Sequence, residues 1–130
     1  MKLTSFVGRL FVPALILAAS TEASELVIHL TGNTPVERHK VTVTCDAVAV
    51  KMGVPEGTFE VEYINAQPTA LAVLPLEGKQ LVFASVISGS GARYAAGRFV
   101  WWDAGARGIS LSAPSASGEE RGTCRAVGRK

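Results

Sequence analysis

The sequence predicts an all-β fold, a small antiparallel eight-stranded β-barrel with one disulfide. Three observations predict it. Apolar and polar residues alternate in short runs, turns containing glycine, asparagine or proline separate these runs at regular spacing, and no run has a convincing amphipathic helical period. A two-sheet sandwich fits the same pattern, but closure into a barrel removes the edge strands that could pair with other chains.

About eight segments have the alternation or the apolar composition of short strands. In the third of them, Phe59, Val61 and Tyr63 would face a core, while Glu60 and Glu62 would face solvent. The predicted strands are 24–31, 41–45, 59–63, 70–76, 80–86, 98–103, 108–112 and 123–127.

The segments between these strands predict turns and one longer loop. Residues 77–79, Glu-Gly-Lys, predict a tight hairpin, and Pro75 predicts a bulge or an edge because proline cannot donate to a ladder. The polar stretch 112–122 predicts a mobile loop. Trp101 and Trp102 would point to opposite faces of a regular strand, so one is expected in the core and the other at a barrel end or an interface.

The N-terminal region has the three-part pattern of a secretory signal peptide. Lys2 and Arg9 precede an apolar run that is too short to cross a bilayer, and small residues follow it. We therefore divide the chain into a signal peptide, 1–23, and one domain, 24–130. Ser20 stands where a lipoprotein signal would carry a cysteine, which predicts a protein without a membrane anchor.

Cys45 and Cys124 are the two cysteines of the chain, and an even count in an exported protein predicts a disulfide. Closing so long a loop would stabilise the fold by on the order of 4 kcal/mol. A metal site is the weaker alternative, because no histidine is spaced beside either thiol.

Charge and motif content argue against nucleic-acid binding and against catalysis. The domain 24–130 carries eleven basic and ten acidic residues, and this near balance argues against nucleic acid, which would favour a basic face. His29 and His39 have no evident partner for general-base chemistry. Ser90 is not in a nucleophile elbow, because Ser88 and Ala92 occupy the two glycine positions of Gly-x-Ser-x-Gly. A glycosidase would need two carboxylates in distinct environments, whereas Glu60 and Glu62 share one solvated strand face.

The stretch Ser-Gly-Ser-Gly-Ala-Arg-Tyr at 88–94 predicts a narrow turn with unusual chemistry. Gly89 and Gly91 flank Ser90 and permit a tight conformation. Arg93 adds a planar donor fork, and Tyr94 adds an aromatic ring with a polar tip. From residue chemistry alone, this is either an ordinary hairpin turn or a loop shaped to enter the cleft of another protein.

Residues 63–111 resemble the MliC/PliC family of bacterial inhibitors of C-type lysozyme. The matching residues are Tyr63-Ile64-Asn65, Leu71, Ser88, Ser90 to Tyr94, Trp101-Trp102, Gly105 and Leu111. The resemblance covers nearly half of the domain and implies an eight-stranded barrel of the bacterial envelope with a single disulfide. Its most specific element is Ser-Gly-x-x-Tyr, here Ser90 to Tyr94.

The resemblance also implies a site. It places Ser90, Gly91, Arg93 and Tyr94 in a loop that enters the lysozyme active site, where the serine forms hydrogen bonds. The family also has a lysine after the tryptophan pair, at the position that Ala104 occupies here. Arg107 is the predicted substitute for that cation, and Arg93 is the alternative.

The resemblance and the signal peptide together predict a periplasmic inhibitor of host C-type lysozyme, similar to the non-lipidated PliC branch. It would be no enzyme and would need no metal or cofactor. The alternative is an envelope barrel that binds a small apolar ligand or another partner protein. Uncovered strand edges could also pair two chains into a homodimer, and the sequence leaves the oligomeric state open.

Overall fold

A computed structural model of the chain describes Gly8 and residues 23–128. Apart from Gly8 and Ala23, the predicted signal peptide and Ser20 lie outside the described residues. Within the described part of the chain, no helix has the length and apolar character needed to span a membrane.

The described chain forms a closed antiparallel barrel in which each strand pairs with the next and the last pairs with the first. The strands are β1 Glu37–Cys45, β2 Thr58–Ala66, β3 Thr69–Leu76, β4 Lys79–Val86, β5 Ala92–Ala96, β6 Phe99–Asp103, β7 Ile109–Ser115 and β8 Gly118–Ala126. A helix, α1 Ala47–Met52, connects β1 to β2, and a 3-10 turn at Gly105–Arg107 lies between β6 and β7. The predicted fold class, an eight-stranded antiparallel barrel, is therefore confirmed.

One predicted strand is wrong and one strand was missed. Residues 24–31 form no strand, and their apolar side chains, such as Leu26 and Ile28, line a groove on the outer face of β2–β4. Alternation alone cannot distinguish a strand within a sheet from an extended segment lying on its surface. The eighth strand is instead β5, whose small residues Ala92, Ala95 and Ala96 give little apolar signal.

The polar stretch 112–122 belongs mainly to the β7–β8 hairpin, so the predicted loop is wrong. Register pairs run from Ser112↔Arg121 to Ser115↔Gly118. Most side chains of this hairpin face solvent, and a strand without an apolar outline resembles a loop in sequence. The predicted Glu77–Gly78 hairpin between β3 and β4 is confirmed.

Pro75 occupies a local edge of the sheet, as predicted. It pairs in register with Gln80 of β4, but the pairing of β3 with β2 ends at Glu62↔Val73. Because proline has no N–H to donate, the ladder between β2 and β3 does not extend to Pro75.

Large apolar side chains fill the barrel interior. Trp101, Phe83 and Leu74 are fully buried, and Phe59, Val61 and Tyr63 point inward as their alternation predicts. A small barrel filled in this way has a packed core, which does not favour an apolar ligand inside it. The fully buried side chains of largest volume are Trp101, Phe83, Leu74, Leu76, Leu111, Val43, Val61 and Cys124.

The barrel closes at a short seam between β1 and β8. Register pairs join Val43 to Ala126, Thr44 to Arg125 and Cys45 to Cys124. The predicted disulfide is confirmed and bridges Cys45 and Cys124 directly across this seam. The bond therefore fastens the one strand pair that sequence neighbours do not form.

Closure changes the argument for a homodimer, which rested on uncovered edges. Residues 37–41 of β1 pair with β2 alone, and there Arg38 and Lys40 form ion pairs with Glu62 and Glu60, both at 3.3 Å. Charged side chains along such a stretch oppose pairing with another chain. A homodimer stays a prediction.

Helix α1 depends on Asp46, whose side chain caps it. Asp46 Oδ1 accepts the N–H of Ala49 at 3.0 Å, and Oδ2 accepts the N–H of Thr123 in β8 at 2.9 Å. Gly53 ends the helix in the left-handed region, at φ 118°. Six residues between two caps are too few to show a helical period, which explains why the sequence did not predict α1.

We expect Asp46→Ala to lower the free energy of unfolding by about 1 kcal/mol at neutral pH. The hydrogen bond from Ala49 lowers the pKa of the Asp46 carboxyl below its ordinary value. Its contribution is therefore fully present above that ordinary value and is lost as the pH falls through the folded-state pKa. Urea unfolding at about pH 7 and about pH 3 measures this, and the difference between wild type and variant should shrink in acid. An equal difference at both pH values would contradict the assignment.

Candidate functional site

The two ends of the barrel carry different structures. Successive connections of an antiparallel meander alternate between the ends, so α1, Glu77–Gly78 and the β5–β6 turn lie at one end. The N–H of Glu77 donates to the carbonyl of Gly53 at 2.9 Å, and Arg98 contacts Glu77 at 3.4 Å, which confirms this grouping. The 87–91 loop, between β4 and β5, and the 104–108 loop, between β6 and β7, lie at the other end, which we call the loop end.

Ser90 is the point where the two loops meet. Its side chain is exposed, and its Oγ accepts a hydrogen bond from Arg107 Nη2 at 2.6 Å. Its carbonyl accepts from Trp102 Nε1 at 2.9 Å and from Ser88 Oγ at 2.6 Å. These contacts fix the loop backbone while leaving the serine at the surface.

Gly91 lets the 87–91 loop pack directly against the backbone of the 104–108 loop. Its φ is +67°, and a Cβ atom there would lie 2.5 Å from the carbonyl oxygen of Asp103 and 2.9 Å from the Cα of Ala104. Both the conformation and the close approach require glycine. Gly89, by contrast, would have no atom within 4 Å of an added Cβ.

Two arginines surround the half-buried Trp102. The Cζ atoms of Arg93 and Arg107 each lie 5.5 Å from the centroid of its ring, within the range of a cation–π contact. Arg107 is exposed, whereas Arg93 is partly buried and its Nε has no partner among the described residues. The loop end therefore combines a surface hydroxyl with two guanidinium groups, a set that suits carboxylate ligands.

Tyr94 lies below this surface and not in the loop. It belongs to β5, its side chain is only 7% exposed, and its ring lies 5.7 Å from that of Tyr63 in the barrel. Burial, and secondarily the charge of Asp103, raises the pKa of its phenol. The loop predicted at 88–94 ends earlier, at Gly91, because Ala92 already pairs with Asp103.

A hydrogen-bond chain that runs from the barrel core to the surface supports the 104–108 loop, and the sequence did not predict it. Trp101 Nε1 donates to the hydroxyl of Tyr63 at 2.9 Å, and that hydroxyl donates to Asp103 Oδ2 at 3.1 Å. Asp103 Oδ1 then accepts the N–H of Gly105 at 2.9 Å. Burial raises the pKa of Tyr63 far above its ordinary value, so the phenol keeps the proton that it donates. The Asp-x-Gly sequence after a strand was the available signal, because aspartate commonly bonds to backbone two residues on.

The structure thus brings together Ser90, Gly91, Arg93 and Arg107 around Trp102, and it places Tyr94 beneath them. Ala104, at the position where the resemblance implies a lysine, is half-buried and donates its N–H to the carbonyl of Gly108 at 2.9 Å. The fold and the site define a class of small barrel, closed by a disulfide, in which two polar loops pack against each other at one end.

Comparison with known proteins agrees with this class. The sequence profile of the family MliC, membrane-bound lysozyme-inhibitor of c-type lysozyme, matches residues 55–118. A membrane-bound lysozyme inhibitor of C-type lysozyme from Pseudomonas aeruginosa is 50% identical over 48 residues, which are 36% of this chain and 38% of that protein. Its counterpart from Cupriavidus necator is 43% identical over 51 residues, which are 39% of this chain and 41% of that protein.

The fold matches over a longer stretch than these sequence alignments. A crystal structure of Pseudomonas aeruginosa MliC in complex with hen egg white lysozyme superposes with a TM-score of 0.61 and 30% identity. The match covers 81% of this chain and 98% of that one. The chain belongs to the MliC family. In sequence, it aligns with only about two fifths of the length of the two curated relatives.

Proposed function

We propose that this protein is a periplasmic inhibitor of C-type lysozyme and that its loop end enters the active-site cleft of that enzyme. The relatives from Pseudomonas aeruginosa and Cupriavidus necator are lysozyme inhibitors by name, and the structural match was solved with hen egg white lysozyme. The observation that carries the proposal is the 2.6 Å hydrogen bond between Arg107 and Ser90. It puts a cation beside the serine although the lysine position of the family is Ala104.

The chemistry of the target explains why this pair suits inhibition. Lysozyme hydrolyses peptidoglycan with two carboxyl groups, a general acid that must be protonated and a second that is ionised. A guanidinium brought close to both groups favours their ionised forms and so opposes protonation of the acid. The Ser90 hydroxyl can donate to the same carboxylates, and the barrel behind it excludes the sugar.

The other site residues have supporting parts in this proposal. Arg93 is the second cation, and it lies on β5, just after the 87–91 loop, against the ring of Trp102. Gly91 permits the close packing of the two loops, and Tyr94 supports the loop from inside the barrel. The protein acts by binding and not by catalysis.

Periplasmic location and the absence of an anchor are also part of the proposal. The signal-peptide pattern in 1–23 supports export, and Ser20 in place of a lipidated cysteine supports a free protein of the PliC kind. The disulfide supports an oxidising compartment.

A second candidate function, binding of a small apolar ligand, is favoured by one observation. A groove of about 280 Å³ lies between the segment around Leu26, Ile28 and Leu30 and the outer face of β2–β4. Its lining is mostly apolar and includes Leu71 and Val73. The groove lies on the side of the barrel, so it is separate from the loops.

The test is lysis of peptidoglycan-containing cells by a C-type lysozyme, with the protein lacking 1–23 added in increasing amounts. We expect Ser90→Ala and Arg107→Ala each to weaken inhibition by roughly 10- to 100-fold, because each removes a charge-assisted hydrogen bond. Arg98→Ala is the matched control, since Arg98 is an exposed arginine of the opposite end. The proposed site would be contradicted if Arg98→Ala lost inhibition, or if Ser90→Ala and Arg107→Ala inhibited as well as wild type does. If folded wild type does not inhibit at all, the outer groove becomes the better candidate.

A further inference from the structure

Ile87 has an exposure that its surroundings do not explain. Its side chain is 97% exposed, more than any other large apolar side chain among residues 23–128. A single exposed apolar residue is ordinary on a protein surface, so exposure alone does not identify a site. The position of Ile87 makes it informative, because it lies between the end of β4 and the Ser88 turn of the loop end.

The backbone on both sides of Ile87 is fixed. Val86 ends β4, pairs with Arg93 of β5 and is itself 45% exposed. On the other side, the Ser90 carbonyl is held by Trp102 and by the Ser88 hydroxyl. The isoleucine is therefore presented to solvent from a short, anchored segment. A residue held in this way loses little conformational freedom when a partner buries it.

The loop end thus has an apolar edge beside its polar centre. Ser90, Arg107 and Arg93 form the polar centre. Val86 and Ile87 lead into the same loop from β4, and Val86 lies opposite Arg93 in the register. Ligand clefts generally combine a mostly apolar lining with a few polar groups. A cleft with carboxyl groups at its base and apolar walls is complementary to both parts of this surface.

We infer that Ile87, supported by Val86, is the apolar anchor of this surface and packs against an apolar wall of the lysozyme cleft when Ser90 and Arg107 approach its carboxyl groups. The inference rests on the proposed function and adds a residue that the polar loop motif does not include. Burial of the Ile87 side chain would then supply part of the binding free energy, because a few well-packed residues dominate most interfaces.

The experiment measures binding of a C-type lysozyme by titration calorimetry to wild type, Ile87→Ser, Ile87→Leu and Val48→Ser. We expect Ile87→Ser to weaken binding by roughly 10- to 100-fold, the range typical of an interface anchor. Ile87→Leu should bind within about threefold of wild type, since it restores the apolar surface. Val48 lies on α1 at the other end and is 36% exposed, so Val48→Ser should leave binding unchanged.

A second readout separates an anchor from a residue that only shapes the loop. Burial of apolar surface makes the heat-capacity change of binding negative, so Ile87→Ser should make that change smaller in magnitude. If Ile87→Ser binds within about twofold of wild type and the heat-capacity change of binding is unchanged, Ile87 is not an anchor, while the proposed function stands. Absence of lysozyme binding by folded wild type overturns both.

Discussion

Replacing both cysteines, Cys45→Ala together with Cys124→Ala, should lower the free energy of unfolding by about 4 kcal/mol. The bond joins residues 79 positions apart, so removing it releases a long loop in the unfolded chain. It also fastens a seam that has only three register pairs. Urea unfolding followed by tryptophan fluorescence measures the change, because Trp101 is buried in the core.

Wild type in the presence of reductant serves as the control for this variant. Reduction should produce the same loss as the double substitution, because both break the same covalent link. A double variant with the unfolding midpoint of oxidised wild type would contradict the stabilising role of the bond. A variant less stable than reduced wild type would show that packing of the two side chains matters as well.

Gly91→Ala should have the second large effect, on inhibition and on stability together. The added Cβ would lie 2.5 Å from the carbonyl oxygen of Asp103 and 2.9 Å from the Cα of Ala104, and both are backbone atoms. Alanine also resists the positive φ of this position, so we expect a loss of roughly 2–4 kcal/mol in unfolding free energy. Relief of the contact would move the 87–91 loop away from the 104–108 loop and separate Ser90 from Arg107. Inhibition of lysozyme should then fall by at least about tenfold.

Gly89→Ala is a closely matched control for this prediction. It changes a glycine of the same loop, yet its Cβ would have no atom within 4 Å and its φ is not in the left-handed region. We expect its stability and its inhibition to stay near those of wild type. Equal effects of the two substitutions would mean that general loop flexibility matters and that close packing at Gly91 does not.

The sequence predicted the fold class because most of the sheet has one apolar and one polar face. That signal fails where the two faces of a strand do not differ in polarity, as in β5 with its alanines and in the solvent-facing part of the β7–β8 hairpin. It also fails for residues 24–31, where alternation marks an extended segment on the outer surface. Helix α1 is shorter than two turns, and its caps, Asp46 and Gly53, are its main local signal.

The residues of the candidate site could be proposed from the sequence, but their arrangement could not. The resemblance pointed to Ser90 and Arg107, but only the register of four strands brings them to 2.6 Å. The support from Tyr63 through Asp103 to Gly105 joins residues up to 42 positions apart, so no local pattern contains it. Tyr94 belongs to the same sequence motif, but it lies in the core beneath the loop, and the sequence alone did not show this.

The order of strands in the barrel has a consequence for how the chain folds. Seven of the eight strand pairings join neighbours in sequence, and only β1 with β8 joins distant residues. Hairpins between neighbours form quickly, whereas the contact between the first and last strands requires ordering of everything between them. We therefore expect closure of the seam to be a late step. A chain that ends before Thr123 would keep the first half of β8 but lack the residues that pair with β1, and its barrel could not close.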